Sequence, residues 1–401
     1  MKSSRRNARK VGSAIAAVGA LLSVAPWAQA QDSAAQPAVG ASVNASATVQ
    51  TEPVTLSATQ TTQPVVPAES PLDVKLDIGL GLRTDFTFDP DQEVGDAPIY
   101  RIGYDLRPYI SGQIHRNIKF EGNLDSNDDT IAVLDAVLKF EFNDYANFWV
   151  GRFLPPSDRA NLSGPYYQNA WVYPGVHAYP NAYAGRDEGL AYWGQYQGGV
   201  VKWQLGFFGM QDGGTADPRF AGRVTVNLFD PEPGYYNSST YYGSKNILAF
   251  GAALQHQPAP EGADDTAANT LWSLDALFEK NLGPGTLDLE GAFYGFGGAD
   301  QGTSFFVLGS FLFPERVGIG QFQPMVRVER VGTSDGDGFD GVNAPPDDDA
   351  SRLGIDAGLH YIISGHNARL AATLRYTSTT IGDGDAQTDT VIILGGQIQA
   401  F

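Results

Sequence analysis

The 401-residue sequence contains no cysteine. That excludes a disulfide framework, a thiol nucleophile and any cysteine-ligated metal. Long hydrophobic runs are missing too. Apart from Val11 to Val24, nothing approaches the roughly eighteen continuous apolar residues of a helical membrane span. Basic residues are scarce: 26 Lys and Arg stand against 45 Asp and Glu, a net charge of −19. This balance excludes nucleic acid as a partner. Only five histidines occur, His115, His177, His256, His360 and His366. No H-E-x-x-H, C-x-x-C, G-x-S-x-G or Walker pattern is present, so an enzyme is not expected. His177, between Val176 and Ala178, reads as a hydrogen-bonding loop residue. Asp187-Glu188 beside Arg186 reads as a charged lining rather than an acid–base pair.

The N-terminal thirty residues have the form of a secretory signal. Lys2, Arg5, Arg6, Arg9 and Lys10 precede the apolar stretch, and Ala28-Gln29-Ala30 is a small-x-small cleavage site. Its removal takes the charge to about −24, since five of the basic residues leave with it. Residues 31–70 are rich in Ala, Gln, Thr, Ser, Val and Pro with little charge. They read as a low-complexity flexible linker.

From about residue 71 to the end, period-two alternation dominates. Val74, Leu76, Ile78, Leu80, Leu82, Phe86 and Phe88 alternate with Asp73, Lys75, Asp77, Arg83 and Asp85. The same pattern recurs in Tyr100 to His115, Leu134 to Phe142, Leu248 to Leu254, Trp272 to Glu279, Leu353 to Tyr361 and Arg369 to Tyr376. Each is a strand with one apolar and one polar face. About sixteen such strands are expected, longer than the five or six residues usual in soluble domains. Charges recur on one face, which a sandwich core would exclude. Short gaps such as 115–117, 197–199, 281–284 and 364–366 alternate with longer ones. The fold class is therefore all-β, a transmembrane antiparallel β-barrel. On this reading Phe250 faces lipid, and Thr373 faces the lumen, where lysine is expected to be tolerated. The stretch 230–244, DPEPGYYNSSTYYGS, is long where a tight turn is expected.

Between Phe148 and Gly189 the alternation stops. After a short strand ending at Phe153, some thirty-five residues show neither helical nor strand period, yet are dense in Tyr, Trp and Pro. This is expected to be a long third extracellular loop folded into the lumen. Tyr166, Tyr167, Trp171, Tyr173, Tyr179 and Tyr183 would pack it against the wall or line the path. Asp89, Asp91, Glu93, Asp96, Asp335, Asp337, Asp340, Asp347, Asp348, Asp349, Asp383 and Asp385 place acid in the long gaps. They form either a solvated rim or one that holds divalent cations against lipopolysaccharide. No cofactor is otherwise expected, and no metal ligand set is assigned.

Val150-Gly151-Arg152-Phe153-Leu154-Pro155-Pro156, then Gly185-Arg186-Asp187-Glu188-Gly189-Leu190, resembles the phosphate-selective porin O and P family. Gly222-Arg223-Val224-Thr225-Val226-Asn227 followed by Gly234-Tyr235-Tyr236 looks similar as well. The resemblance covers roughly residues 73–401. It implies a trimeric, sixteen-stranded outer-membrane porin whose third loop narrows the pore, with Arg152, Arg159 and Arg186 at the constriction. Asp187 and Glu188 adjoin them. The family's selectivity would make the channel an anion or phosphate channel. The inward residues themselves are mixed. Arg83, Arg101, Arg107, Lys139, Lys202, Arg223, Arg327, Arg369 and Arg375 are accompanied by Asp85, Asp105, Glu141 and Glu329. That mixture suits a general channel for small hydrophilic solutes or ions in the bacterial outer membrane, with the linker in the periplasm. A structural or adhesive barrel without an open pore is the third reading.

Overall fold

The computed structural model describes residues 74–90, 99–127, 130–177, 185–209, 218–259, 268–297, 302–333 and 349–400. The signal and linker, most of the acidic gap residues, Tyr179, Tyr183 and Phe401 lie outside them. Sixteen strands form: β1 (Lys75–Phe88), β2 (Tyr100–His115), β3 (Ile118–Asn127), β4 (Thr130–Asn143), β5 (Ala146–Phe153), β6 (Asp187–Tyr196), β7 (Val201–Phe208) and β8 (Arg219–Asn227). They continue as β9 (Ile247–Gln257), β10 (Asn269–Asn281), β11 (Thr286–Gly297), β12 (Gly302–Leu312), β13 (Gln321–Thr333), β14 (Ala350–Ser364), β15 (Ala368–Ile381) and β16 (Gln387–Ala400). Each pairs antiparallel with its sequence neighbours. β1 also pairs with β16, from Leu80 opposite Ala400 to Phe88 opposite Ile392, and the sheet closes.

Alternation sorts the side chains as the sequence predicts. Ile102, Phe250, Leu274, Val307, Leu370 and Ile398 project outward and are exposed. Asp105, Arg223, Asp275, Arg327, Asp356 and Arg369 project inward and are buried. An apolar exterior around a polar interior, with no free strand edge, satisfies every backbone group in a hydrocarbon solvent. No helix among the described residues is long and apolar enough to cross a membrane.

Two details depart from what the sequence leads one to expect. In β4 the register slips opposite Asn123 and Leu124, so Val133 turns outward and Leu134 is buried with Asp135. This bulge contradicts the expected outward position of Leu134. Thr373 does face inward, but it is only 2% exposed. A lysine there would have to displace packed neighbours, so tolerance is not expected at that position.

The barrel has two ends. At one, two-residue turns join β2 to β3 and β4 to β5, and 365–367 joins β14 to β15. The long gaps leave the other end, among them the segment between β5 and β6.

Candidate solute pathway

Residues 154–177 enter the lumen, and Gly185 and Arg186 are buried beside them. The stretch is not wholly irregular, as its composition suggested. A helix, α1 (Arg159–Tyr167), opens it, followed by a 3-10 turn at Gly175–His177. Asp158 is the helix N-cap, its carboxylate accepting from the Asn161 amide at 3.2 Å. Gly164 breaks the helix at φ 65°, just before Pro165. A helix of nine residues, kinked and buried all round, has no amphipathic period to find. Asp158 also accepts from the Tyr294 hydroxyl at 3.0 Å and lies 3.1 Å from His177 Nε2. Burial works against this carboxylate, but His177 and these hydrogen bonds hold it below its ordinary 3.8. His177 is thus the loop hydrogen-bonder expected.

Wall arginines grip the loop by its carbonyl oxygens. Arg83 donates to Trp171 at 2.7 Å, and Arg327 donates to Val172 and Tyr173 at 2.8 and 2.9 Å. Arg369 donates to Gln168 at 2.7 Å and to Pro165 at 3.2 Å. Glu329 accepts from the Gly175 amide at 2.8 Å and from Arg375 at 2.6 Å. Trp171 packs against Gly395 of β16, where an added Cβ would sit 2.3 Å from the indole ring. Only glycine admits that contact.

A second segment enters from the short-turn end. Residues 228–246, the anomalous long turn, fold inward and meet the loop at mid-barrel. Arg159 Nη1 and Nη2 bind both oxygens of Glu232 at 2.7 Å, and Nη1 also donates to the Ser238 carbonyl at 2.7 Å. Both side chains are about 1% exposed. Burial alone would raise the Glu232 carboxyl, but the Arg159 guanidinium overrides it and holds the group down at about 2, against an ordinary 4.5. The Ser239 amide donates to Tyr167 at 3.1 Å, and the Ser239 hydroxyl donates to Glu290 at 2.9 Å. Glu279 accepts from the Tyr241 and Gly243 amides, both at 2.6 Å. Lys202 Nζ donates to the Tyr236 carbonyl at 2.9 Å and to Asn237 at 2.6 Å. Tyr235 stacks on Trp149 with centroids 4.6 Å apart, and its hydroxyl donates to Leu154 at 3.0 Å.

The expected constriction residues separate into two groups. Arg159 and Arg186 are inside. Arg186 grips Asp135 through two bonds, of 2.7 and 2.8 Å. Asp187 faces inward against Arg219 at 2.6 Å. Arg152 and Glu188 do not belong there. They share the face of Phe148, Val150, Leu190 and Tyr192, which points out of the barrel, and pair with each other at 2.8 Å on that outer wall. This corrects the constriction role expected for both: the two-residue period through Phe148 and Val150 carries Arg152 to the outer face.

Among the expected lining residues, the charges are mostly spent on one another. Arg107 binds Asp105 and Asp125 at 2.8 and 3.3 Å, and Arg223 binds Asp275 through both its terminal nitrogens. Lys139 pairs with Glu121 and lies 4.0 Å above the Trp149 ring. Glu141 binds Lys119 at 2.6 Å. Arg327 and Arg375 contact Asp356. Asp85 is half-buried, and Arg101 is exposed at the long-loop rim.

No protein-family model and no curated protein matches this sequence. Solved structures do match. The loop-L8 deletion form of OmpT, an outer membrane protein of Vibrio cholerae, superposes with a TM-score of 0.53 at 12% identity, over 82% of this chain and 99% of that one. Salmonella typhi OmpF in complex with daunomycin gives 0.54 at 13%, over 81% and 97%. An anion-selective porin from Comamonas acidovorans gives 0.50 at 14%, over 82% and 100%. The fold is that of the porins. At these identities the likeness establishes the barrel and nothing finer. The inserted segment 228–246, by contrast, is recognised from its own contacts. Its sequence signals were its length and its paired tyrosines, Tyr235-Tyr236 and Tyr241-Tyr242.

Proposed function

We propose that this chain is an outer-membrane channel for small hydrophilic solutes, narrowed from both ends by 154–177 and 228–246. The observation that carries the reading is the sorting of charge: an ionic lumen inside a barrel whose outer wall is apolar. A lumen of that kind has no use in a barrel that only anchors or adheres. The long-loop end faces outward, the short-turn end and the linker face the periplasm, and the first thirty residues are a cleaved signal. Neighbouring copies form a trimer, and the acidic rim meets lipopolysaccharide, directly or through divalent cations. Passive permeation needs no catalytic group, and no enzymatic activity is proposed.

Phosphate or general anion selectivity is not favoured. Arg83, Arg327 and Arg369 are occupied by loop carbonyls, and Arg107 and Arg223 by carboxylates. A guanidinium engaged in this way offers less to a passing anion than a free one. Single-channel recording of the purified protein in planar bilayers tests the reading. Small, discrete conductance steps with a reversal potential near zero in a salt gradient are expected. Silence in both the native protein and a variant lacking 231–245 would leave the structural barrel as the better account. Strong anion preference would restore the selective channel.

A further inference from the structure

The barrel is filled unevenly. From β7 round to β15, inward side chains such as Lys202, Arg223, Asp275 and Arg327 are buried against the two inserted segments or one another. The first strand is different. The inward positions of β1 from Asp77 to Thr87 are exposed or half-buried, with the exception of Gly81. No other described strand is open on both sides of a single buried position. Among the described residues, therefore, water lies against β1 on either side of one closed point.

Tyr166 closes it. A Cβ added at Gly81 would stand 2.8 Å from Tyr166 Cζ and from its hydroxyl oxygen, so the phenol ring rests on the bare backbone of the strand. Tyr166 follows directly on the break in α1 at Gly164 and Pro165. Its carbonyl is pinned: Gln397 Nε2 donates to it at 3.0 Å, and His366 Nδ1 lies 3.2 Å away. Its side chain is not. The hydroxyl is buried without a hydrogen-bond partner among the described residues. The Arg107 and Arg83 guanidinium groups flank the ring, 5.6 and 5.9 Å from its centroid. A buried hydroxyl left in that state is costly. Swinging the ring away would hydrate it and break no hydrogen bond, while the fixed carbonyl keeps the loop in place. Packing and cation–π attraction alone hold the closed position. An aromatic constriction of this kind can shut a water path without any charged barrier.

We propose that solutes cross along the inner face of β1, and that the Tyr166 ring on Gly81 is the gate that sets their size limit. This assignment rests on the channel reading above. The absence of native cysteine allows single cysteines to report the route. Asp77→Cys and Asp85→Cys flank the gate, whereas Ser304→Cys and Thr373→Cys, at positions 1% and 2% exposed, report the filled side. A charged methanethiosulfonate reagent, followed by mass spectrometry, should modify the two β1 cysteines severalfold faster. Their modification should also lower the single-channel conductance in planar bilayers. Tyr166→Ala should raise that conductance severalfold. Gly81→Ala, which props the ring off the strand, should do the same and serves if the first variant does not fold. Equal modification on the two sides overturns the route. Steps of native size in folded Tyr166→Ala or Gly81→Ala protein overturn the gate and leave the channel reading standing. Silence of the native protein and of both opened variants overturns the channel reading, and the gate with it.

Discussion

At Arg159 one guanidinium serves both oxygens of Glu232 and the Ser238 carbonyl, while its backbone amide donates to Asp275 at 3.3 Å. One residue therefore fastens loop, insert and wall. Removing one member of a buried pair strands the other, at a cost of about 3–5 kcal/mol. Arg159→Met is expected to unseat the insert rather than unfold the barrel, because the strand ladders do not depend on it. Larger single-channel steps in the variant would show this. Protonation does the same reversibly. The Glu232 carboxyl is held down at about 2 from an ordinary 4.5. Its contribution is therefore complete above pH 4.5 and is lost as pH falls from there toward 2. Conductance should rise over that interval, and Glu232→Gln should abolish the rise. A flat profile in the native protein would show that the pair does not hold the lumen.

At the scale of elements, the strands were legible because a two-residue period is visible in any chain that separates lipid from water. Phe250, exposed on the outer wall, and Ser111, half-buried on the inner wall between Asp77 and Glu121, put that assignment to the test. Phe250→Lys should impair assembly, since a lysine facing lipid costs up to about 2–4 kcal/mol near the midplane. Ser111→Lys should assemble normally, its charge met by two carboxylates. The fraction of folded, heat-modifiable barrel on a gel is the measure, and equal yields would mean that the faces are wrongly assigned. Followed through Phe148 and Val150, the same period carries Arg152 to the outer wall, whereas the family likeness implied the constriction. The inserted segments were not legible in this way. Nothing in Ser238-Ser239-Thr240 says that its partners are Tyr167, Glu290 and Glu279, which lie tens of residues away or more. Short polar residues in a turn read as solvated until a lumen is drawn around them. The helix α1 was hidden for a related reason: a helix buried on every side carries no stripe.

For the molecule as a whole, the insert is a side branch of the sheet that closes the barrel. Its base continues the β8–β9 ladder, with Leu228 donating to Leu248 at 2.8 Å and Asp230 donating to Asn246 at 2.9 Å. Replacing 231–245 with a two-residue turn should leave a folded barrel whose conductance is several times larger. Loss of the folded form on the same gel assay would instead make the insert part of the core. Lumen and wall then follow different rules. The wall is fixed by solvent, and the lumen by a few long-range ion pairs.

The seam between Leu80 and Ala400 has a consequence for biogenesis. The first strand to be synthesised must wait, its hydrogen-bonding edge unmatched, until the last has been made. Every shorter nascent chain is an open ribbon with two sticky margins and nothing to close against. Assembly is therefore all-or-none with respect to the carboxyl-terminal strand, and the waiting ribbon has to be kept from its own kind until that strand arrives.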